Sequence, residues 1–212
     1  QILPSQADRN AIVKEMNAYQ QQLAAAADPA LVISKSGSQI PYIGLPVSSS
    51  AYQAYSDIAG KIDSLSVGTT NVTENKEDNT LNIIRVLSKE QLPDSVQFRQ
   101  IQVAAATKEQ AVAKADSIQK ALAGGADFEA IAKRYGQTGE KVWFTGQQYE
   151  RATTMNQDNR QYITAIMNGE VNGVQNLALS QGNVILQVLD KKAMKTKTNA
   201  AIIKKTIDFS KE

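Results

Sequence analysis

The pattern of apolar and polar residues divides the chain into two similar halves at Val96–Val103, which reads VQFRQIQV. Its dense β-branched and aromatic residues predict a strand, and Pro93-Asp94 marks a break just before it. Each half also ends in a short apolar run, Leu81–Leu87 in the first and Asn183–Leu189 in the second. Runs of this length, rich in Ile, Leu and Val, are typical of buried strands.

Helices are predicted where apolar residues recur at spacings of three and four. The clearest is Ala7–Ala27, in which Ile12, Met16 and Leu23 share one face and Ala and Gln supply high helix propensity. The other predicted helices are Pro29–Ser34, Ala51–Leu65, Thr107–Leu122, Phe128–Tyr135 and Asn159–Met167. Few strands and several amphipathic helices predict an α+β fold, with helices packed on a small antiparallel sheet.

Polar segments connect these elements. We expect a loop around Tyr42-Ile43, a second loop around Val142-Trp143-Phe144, and a turn or hairpin tip at Thr69–Asn79. Ser88–Ser95 is mostly polar and contains a proline, which predicts a linker. The boundary between the halves is therefore placed at residues 90–96.

The two halves match in five blocks, which occur in the same order with little drift in spacing. The matching pairs are Gln1-Ile2 with Gln100-Ile101, Leu23–Asp28 with Leu122–Asp127, Gly37–Gly44 with Gly139–Gly146, Ile62, Leu65 and Gly68 with Ile163, Ile166 and Gly169, and Ile83–Leu87 with Ile185–Leu189. One such match arises easily by chance, whereas five in order do not. The sequence therefore predicts two tandem domains of one fold, at residues 1–89 and 97–192, with the linker 90–96 between them.

The last segment, residues 193–212, departs from this pattern. Lysines surround its apolar run Ala200–Ile203, and we interpret it as solvated chain that leads into a further domain. A tail that binds a membrane or nucleic acid is the alternative. The net charge of the whole chain is only +2, from 23 basic and 21 acidic residues, so the sequence indicates no nucleic-acid partner.

The start of the chain has neither the basic residues nor the apolar core of a signal peptide. We therefore expect a processed or excised piece of a longer protein. No stretch approaches the roughly 20 apolar residues that a membrane-spanning helix needs, so a membrane anchor is expected only outside these 212 residues.

Two residue types are absent from the sequence, and their absence excludes several chemistries. Without cysteine there is no disulfide, no thiol nucleophile and no thiolate metal site. Without histidine there is no Ser-His-Asp triad and no histidine-based zinc or iron site. We therefore expect neither a metal nor a cofactor.

The second half resembles the parvulin (rotamase) domain of peptidyl-prolyl cis-trans isomerases over about residues 96 to 192. The segments that carry the resemblance are the strand Phe98–Val103, the helix end and turn Ala121–Ala132, the Trp143-Phe144 segment, the turn Asn168–Gly173 and the closing strand Gly182–Val188. Two such units in tandem resemble bacterial envelope folding factors of the SurA and PpiD type. That resemblance implies a periplasmic location, with an upstream membrane anchor in the PpiD type.

The resemblance also implies an active site with two histidines, a Cys or Asp, and an apolar pocket for proline. Gln100 stands at the first histidine and Val184 at the second, while Thr138, or alternatively Gln137, stands near the Cys or Asp. Because both histidines are replaced, we assign no catalytic residue with certainty and expect isomerase activity to be weak or lost.

The apolar pocket of the family is also poorly kept. Lys141 stands at its Leu position, Tyr149 at its Met position and Thr153 at its Phe position. In the first half, Gln1 and Asn82 occupy the two histidine positions. Both halves are therefore expected to have degenerate sites.

Four residues are candidates for contact with a peptide: Gln100, Trp143, Phe144 and Tyr149. Trp143 and Phe144 either line a groove for apolar segments or clamp the domain's own core, and Tyr149 is the candidate expected to be better exposed. Gln100 either keeps a neutral hydrogen-bond donor in the site or is an ordinary strand residue.

The function that this resemblance implies is that of a folding helper. It would bind extended or proline-containing segments of unfolded envelope proteins, with little or no isomerase activity. Two alternatives stay open: an active isomerase with a reduced site, and a structural spacer or self-association module of a longer folding factor.

Overall fold

The computed structural model describes residues 5–152 and 156–207, and the chain forms two compact units. Unit 1 comprises residues 1–90 together with 196–212, and unit 2 comprises residues 91–195. No helix in the described ranges has the length and apolar character that crossing a bilayer requires.

Unit 1 contains two helices at its start, one shorter helix, and parts of three strands. Its elements are α1 (Gln6–Ala25), α2 (Pro29–Ser36), a 3-10 helix (Ser49–Tyr52), α3 (Ser56–Ile62), β1 (Thr70–Asn75), the first part of β2 (Thr80–Val103) and the last part of β5 (Gly182–Thr206). The Ser5 side chain and Asp8 form a capping box at α1, and Asp28 caps α2 just before Pro29. Local sequence signals thus set the start of both helices.

The sheet of unit 1 has β2 at its centre, between β1 and β5. β1 pairs antiparallel with β2, from Thr70 opposite Arg85 to Asn75 opposite Thr80. On the far side of β5, Val47 forms an isolated bridge with Thr198. One core cluster combines α1, α2 and both central strands, and its buried residues are Ile12, Met16, Leu23, Ile33, Leu81, Ile83, Ala201, Ile203 and Ile207.

Residues 196–206 therefore form a central strand of unit 1, where the sequence predicted solvated chain leading into a further domain. Ala200–Ile203 is buried at every position, which is expected of a strand covered on both faces. The lysine pattern misled the prediction because Lys197 and Lys204 are also buried, which is rare for lysine.

Among the described residues, unit 2 contains four helices and the remaining strands. Its elements are the last part of β2, α4 (Lys108–Ala123), α5 (Phe128–Arg134), β3 (Val142–Thr145), α6 (Gly146–Ala152), α7 (Gln157–Asn168), β4 (Val174–Leu179) and the first part of β5. Its strands lie in the order β3-β2-β5-β4, and β3 pairs antiparallel with β2 from Ser95 opposite Thr145 to Phe98 opposite Val142.

The core of unit 2 lies between its sheet and the helices α4 and α5. Its buried residues are Ile101, Val103, Ala115, Ile118, Phe128, Ile131, Ala132 and Ile185. Gly182 begins β5 at φ +136°, and a Cβ there would lie 2.5 Å from the carbonyl oxygen of Val103. A glycine is thus required where β5 starts beside the end of β2.

Several connections that the sequence predicted are strands in the structure. Residues 90–96, the predicted linker, lie inside β2, and Val142-Trp143-Phe144 forms β3. Thr69–Asn79 contains β1, and the predicted helix Ala51–Leu65 is shortened to α3. The predicted first strand of the first half, Gln1-Ile2, lies outside the described residues.

Candidate functional site

Gln100 lies on β2 and faces helix α7, where Tyr162 covers it. The Tyr162 hydroxyl donates a hydrogen bond to the Gln100 side-chain oxygen. Phe98, two positions earlier and therefore on the same face of the strand, packs its ring at 81° against the Tyr162 ring, with the centroids 6.3 Å apart. The position of the family's first histidine is thus filled by a glutamine whose acceptor is already used.

Burial raises the pKa of Tyr162 to about 12. The phenol therefore stays protonated at neutral pH and donates its proton to Gln100 throughout the physiological range. A neutral phenol bonded to a neutral carboxamide offers no general base.

This protonation state gives a first prediction. With labelled tyrosine rings, NMR should show Tyr162 ionising near pH 12, about two units above the ordinary value of 10.0. Because burial raises the folded-state pKa, the stability that depends on the neutral phenol should be complete below pH 10 and lost as the pH rises towards 12. Tyr162→Phe should abolish that resonance and cost about 1 kcal/mol, since it leaves the Gln100 oxygen without its donor. Ionisation of Tyr162 at its ordinary pKa would contradict the burial of its hydroxyl.

Val184, at the family's second histidine position, lies on β5 and is only 8% exposed. It lines a polar cavity of about 490 Å³ together with Asp158, Ser180 and Asn183. Asp158 is engaged there, since its carboxylate accepts hydrogen bonds from the Ser180 amide and hydroxyl. An apolar Val184 side chain can neither donate nor accept a proton, so this position cannot act as an acid, a base or a hydrogen-bonding group.

Thr138 is exposed, and it lines a second cavity of about 340 Å³ with Gln100, Gln102, Gln137 and Val142. The structure therefore brings Gln100 and Thr138 to one cavity, whereas Val184 lines another. The three positions that the resemblance singled out do not converge on one cavity.

Trp143 and Phe144 belong to the edge strand β3. The Trp143 side chain is 40% exposed, and the Lys192 ammonium lies 4.5 Å from its ring centroid. Val142, next to it, is 38% exposed, whereas Phe144 is half-buried. A cation–π contact thus holds Trp143 at the surface. The alternative that Trp143 packs onto the domain's own core is wrong.

Tyr149 was expected to be the better exposed peptide contact, and this prediction is wrong. It lies on the short helix α6, and only 2% of the side chain is exposed. The large apolar ring packs inward, as rings of this size usually do. Lys141 is exposed, and Thr153 lies outside the described residues.

In unit 1, the corresponding position is closed by a polar network around a buried lysine. The Lys204 ammonium lies 2.8 Å from a carboxylate oxygen of Asp78, 2.9 Å from the Thr80 hydroxyl and 3.3 Å from the Asn82 side-chain oxygen. Asn82 is fully buried and donates to Asp57. Gln1, the other predicted position, lies outside the described residues.

Sequence reasoning missed Tyr162, and it assigned Gln137 only as an alternative for Thr138. Tyr162 precedes Ile163 on the predicted helix Asn159–Met167, but its spacing gave no hint that it would reach Gln100. In the described ranges, no group of acidic residues is arranged to hold a metal ion.

Comparison with known proteins matches this chain to one family. The model of the PPIC-type PPIASE domain matches residues 81–192, which include both histidine positions of unit 2. No curated protein sequence matches the chain. The crystal structure of PrsA from Bacillus subtilis is similar over 47% of this chain and 36% of its own, with 19% sequence identity and a TM-score of 0.35. Since the matched domain spans more than half of its length, the chain belongs to the family of PPIC-type peptidyl-prolyl cis-trans isomerase domains.

Proposed function

We propose that this chain is a polypeptide-binding module of a folding factor whose prolyl isomerase activity is weak or lost. Isomerisation must overcome a barrier of roughly 18–20 kcal/mol that arises from amide resonance. An enzyme lowers it by binding the twisted amide better than the planar forms, with polar groups placed near the carbonyl. The observation that carries the proposal is the Tyr162–Gln100 pair, which fills the first histidine position, while Val184 leaves the second without a polar group.

Binding of unfolded segments needs only an accessible apolar surface, and β3 offers one. Trp143 and Val142 are both exposed, on opposite faces of β3 because they are successive strand residues. The large rigid Trp143 ring supplies contact area at low cost in side-chain entropy. Lys192 fixes the Trp143 ring and adds positive charge beside it. Gln100 and Phe144, two more of the predicted contacts, are half-buried and lie on the same face as Val142.

We also propose that unit 1 is a second, diverged copy of the same fold. Its order of elements supports this idea: two helices, a bridge at Val47, a short helical turn, α3, then β1 and β2. Unit 2 has the same order: α4 and α5, then β3, α6 and α7, then β4 and β5. The strand order also matches when the last part of β5 takes the place in unit 1 that the last part of β2 has in unit 2.

For unit 1, a structural spacer is the second candidate function. The buried Lys204 network favours it, because the ammonium contacts one hydroxyl, one side-chain amide and two carboxylates, which leaves no polar group of this network for a peptide. We place the whole protein in the bacterial periplasm, with any membrane attachment through a segment outside these residues. Unfolded or partly folded envelope proteins are the proposed partners.

The test uses the single tryptophan of the chain, Trp143. In a protease-coupled assay, the 212-residue chain should leave the isomerisation rate of a proline peptide at its uncatalysed value. Reduced, carboxymethylated α-lactalbumin, which cannot fold, should shift the fluorine NMR signal of 5-fluorotryptophan incorporated at Trp143 as it binds. Robust acceleration of isomerisation would contradict the loss of activity, and an unchanged fluorine signal at saturating lactalbumin would contradict the binding surface.

A pair of variants gives the matched control. Val142→Ser should weaken lactalbumin binding about three- to tenfold, since it removes exposed apolar area from β3. Leu31→Ser alters a more exposed apolar residue, on α2 of unit 1, and should leave binding unchanged.

A further inference from the structure

The side chain of Gln137 imitates a neighbouring strand at the edge of β2. Its amide nitrogen donates to the Gln102 carbonyl oxygen at 2.7 Å, and its side-chain oxygen accepts from the Gln102 amide at 2.8 Å. Both are good hydrogen-bond distances. A primary carboxamide carries the same donor and acceptor as a peptide group, so Gln137 sits where a peptide unit of an added strand would sit.

The stretch of β2 that Gln137 covers is a continuation of the edge on which β3 pairs. β3 begins at Val142, opposite Phe98, so its pairing with β2 stops there. Successive residues of a strand direct their backbone groups to alternate edges, so Phe98, Gln100 and Gln102 share one edge. In the described part of the chain, no strand pairs with this edge beyond Phe98, and the Gln137 carboxamide takes the Gln102 position.

Open space lies beside this edge. A cavity of about 340 Å³ is lined by Gln100 and Gln102 of β2, by Gln137–Glu140 and by Val142. It adjoins the start of β3, where Val142 and Trp143 are exposed. A strand edge with unused backbone groups is a template for pairing with another extended chain.

We propose that an extended segment of an unfolded polypeptide adds to β2 at Gln100 and Gln102 as a short strand, and that it displaces the Gln137 carboxamide. The inference rests on the proposed polypeptide-binding function and names how the segment is held. Backbone pairing recognises no particular sequence, so it suits a folding factor with varied clients. In the absence of such a segment, the Gln137 carboxamide acts as a stopper: it occupies the backbone groups of Gln102 and keeps this edge from pairing with other copies of the chain.

The local charge narrows the class of segment. Residues 133–141 contain the basic residues Lys133, Arg134 and Lys141 against a single acid, Glu140, and Lys192 lies over Trp143. This excess of positive charge favours segments with acidic residues at their ends. The residue that pairs must also carry a backbone N–H, so proline cannot occupy that position.

The experiment uses the 212-residue chain and a blocked hexapeptide of four alternating valines and threonines between two glutamates. The control peptide carries a methyl group on each central peptide nitrogen. On addition of the unmodified peptide, NMR should show the Gln100 amide becoming protected from hydrogen exchange and the Gln137 side-chain amide moving to solvent-exposed shifts. The methylated peptide should bind at least tenfold more weakly, since it cannot donate.

Removing the stopper gives an independent readout. Gln137→Ala should bind the unmodified peptide about three- to tenfold more tightly, because two hydrogen bonds no longer have to be broken. An unchanged Trp143 emission spectrum in the free variant would verify that β3 is intact. If this variant does not fold, the comparison of the two peptides on the unmodified chain still decides.

The outcomes separate this inference from the proposed function. If unfolded lactalbumin binds but the methylated and unmodified peptides bind equally, or the Gln100 and Gln102 amides do not respond, strand addition is overturned and polypeptide binding stands. If neither lactalbumin nor the peptide binds, the proposed function falls and the inference falls with it.

Discussion

Deleting residues 196–212 is expected to unfold unit 1 and leave unit 2 folded. The deleted segment supplies a central strand, and Ala201, Ile203 and Ile207 belong to the core cluster that α1 and α2 cover. Burying one isoleucine side chain contributes about 1.5–3 kcal/mol, and Ile202 is buried as well. The loss of three such side chains and of all backbone pairing with β2 approaches the whole stability of a small domain, about 5–15 kcal/mol.

Hydrogen exchange read by mass spectrometry measures this effect unit by unit. Amides of residues 5–86 should lose protection, while those of α4, α5 and α7 keep it. Trp143 is the only tryptophan and lies in unit 2, so its emission should be unchanged and serves as an internal control. Deleting only residues 208–212 leaves every described strand residue in place and should change nothing.

The same experiment discriminates between the two interpretations of the C-terminal segment. Solvated chain leading into a further domain could be removed without effect on unit 1. Retained protection of α1 and α2 after the deletion would therefore show that β5 is not integral to unit 1. Adding a synthetic peptide of residues 196–207 should restore protection if the strand is the missing part.

Apolar runs predicted the strands that are buried, and polar strand residues escaped prediction. Leu81–Leu87 and Asn183–Leu189 lie in β2 and β5, where most side chains are covered. The same strands continue through 88–95 and 190–199, where most residues are polar or partly exposed. There the strand is defined by backbone hydrogen bonds rather than by side-chain burial. Residue types say little about where the backbone forms such bonds.

The candidate site was predicted in part, for a comparable reason. The resemblance placed Gln100 on a strand, and the structure agrees. Trp143 was expected in a loop, whereas it lies on β3, which pairs with β2. The resemblance failed at Tyr149, since a short helix after a strand can turn either face inward. It also gave no hint of Tyr162, whose contact with Gln100 joins residues far apart in sequence and depends on how α7 packs.

Replacing Lys204 with alanine is expected to destabilise unit 1 by about 3 kcal/mol, the second large effect that the structure predicts. Only 2% of the Lys204 side chain is exposed, and its ammonium bonds Asp78, Thr80 and Asn82. Alanine leaves a cavity and strands the buried Asn82 oxygen. Lys204→Met keeps most of the packing but loses the hydrogen bonds, so it should cost about half as much.

The electrostatic part of this effect depends on pH, which a purely steric role would not. Partial burial alone would raise the pKa of Asp78, but hydrogen bonds from Lys204 and Thr80, together with the Lys204 charge, hold it below the ordinary value of 3.8. A lowered carboxyl pKa gives stability that is present above pH 3.8 and is lost as the pH falls through the folded-state pKa. The difference in unfolding free energy between the unmodified chain and Lys204→Met should therefore shrink in acid.

Urea unfolding followed by hydrogen exchange in unit 1 measures this difference. The control is Lys195→Ala, which removes an exposed ion pair with Asp94 in unit 2 and should change stability by no more than about 0.5 kcal/mol. A Lys204→Met deficit that stays constant from neutral pH into acid would show that the lysine contributes through packing alone.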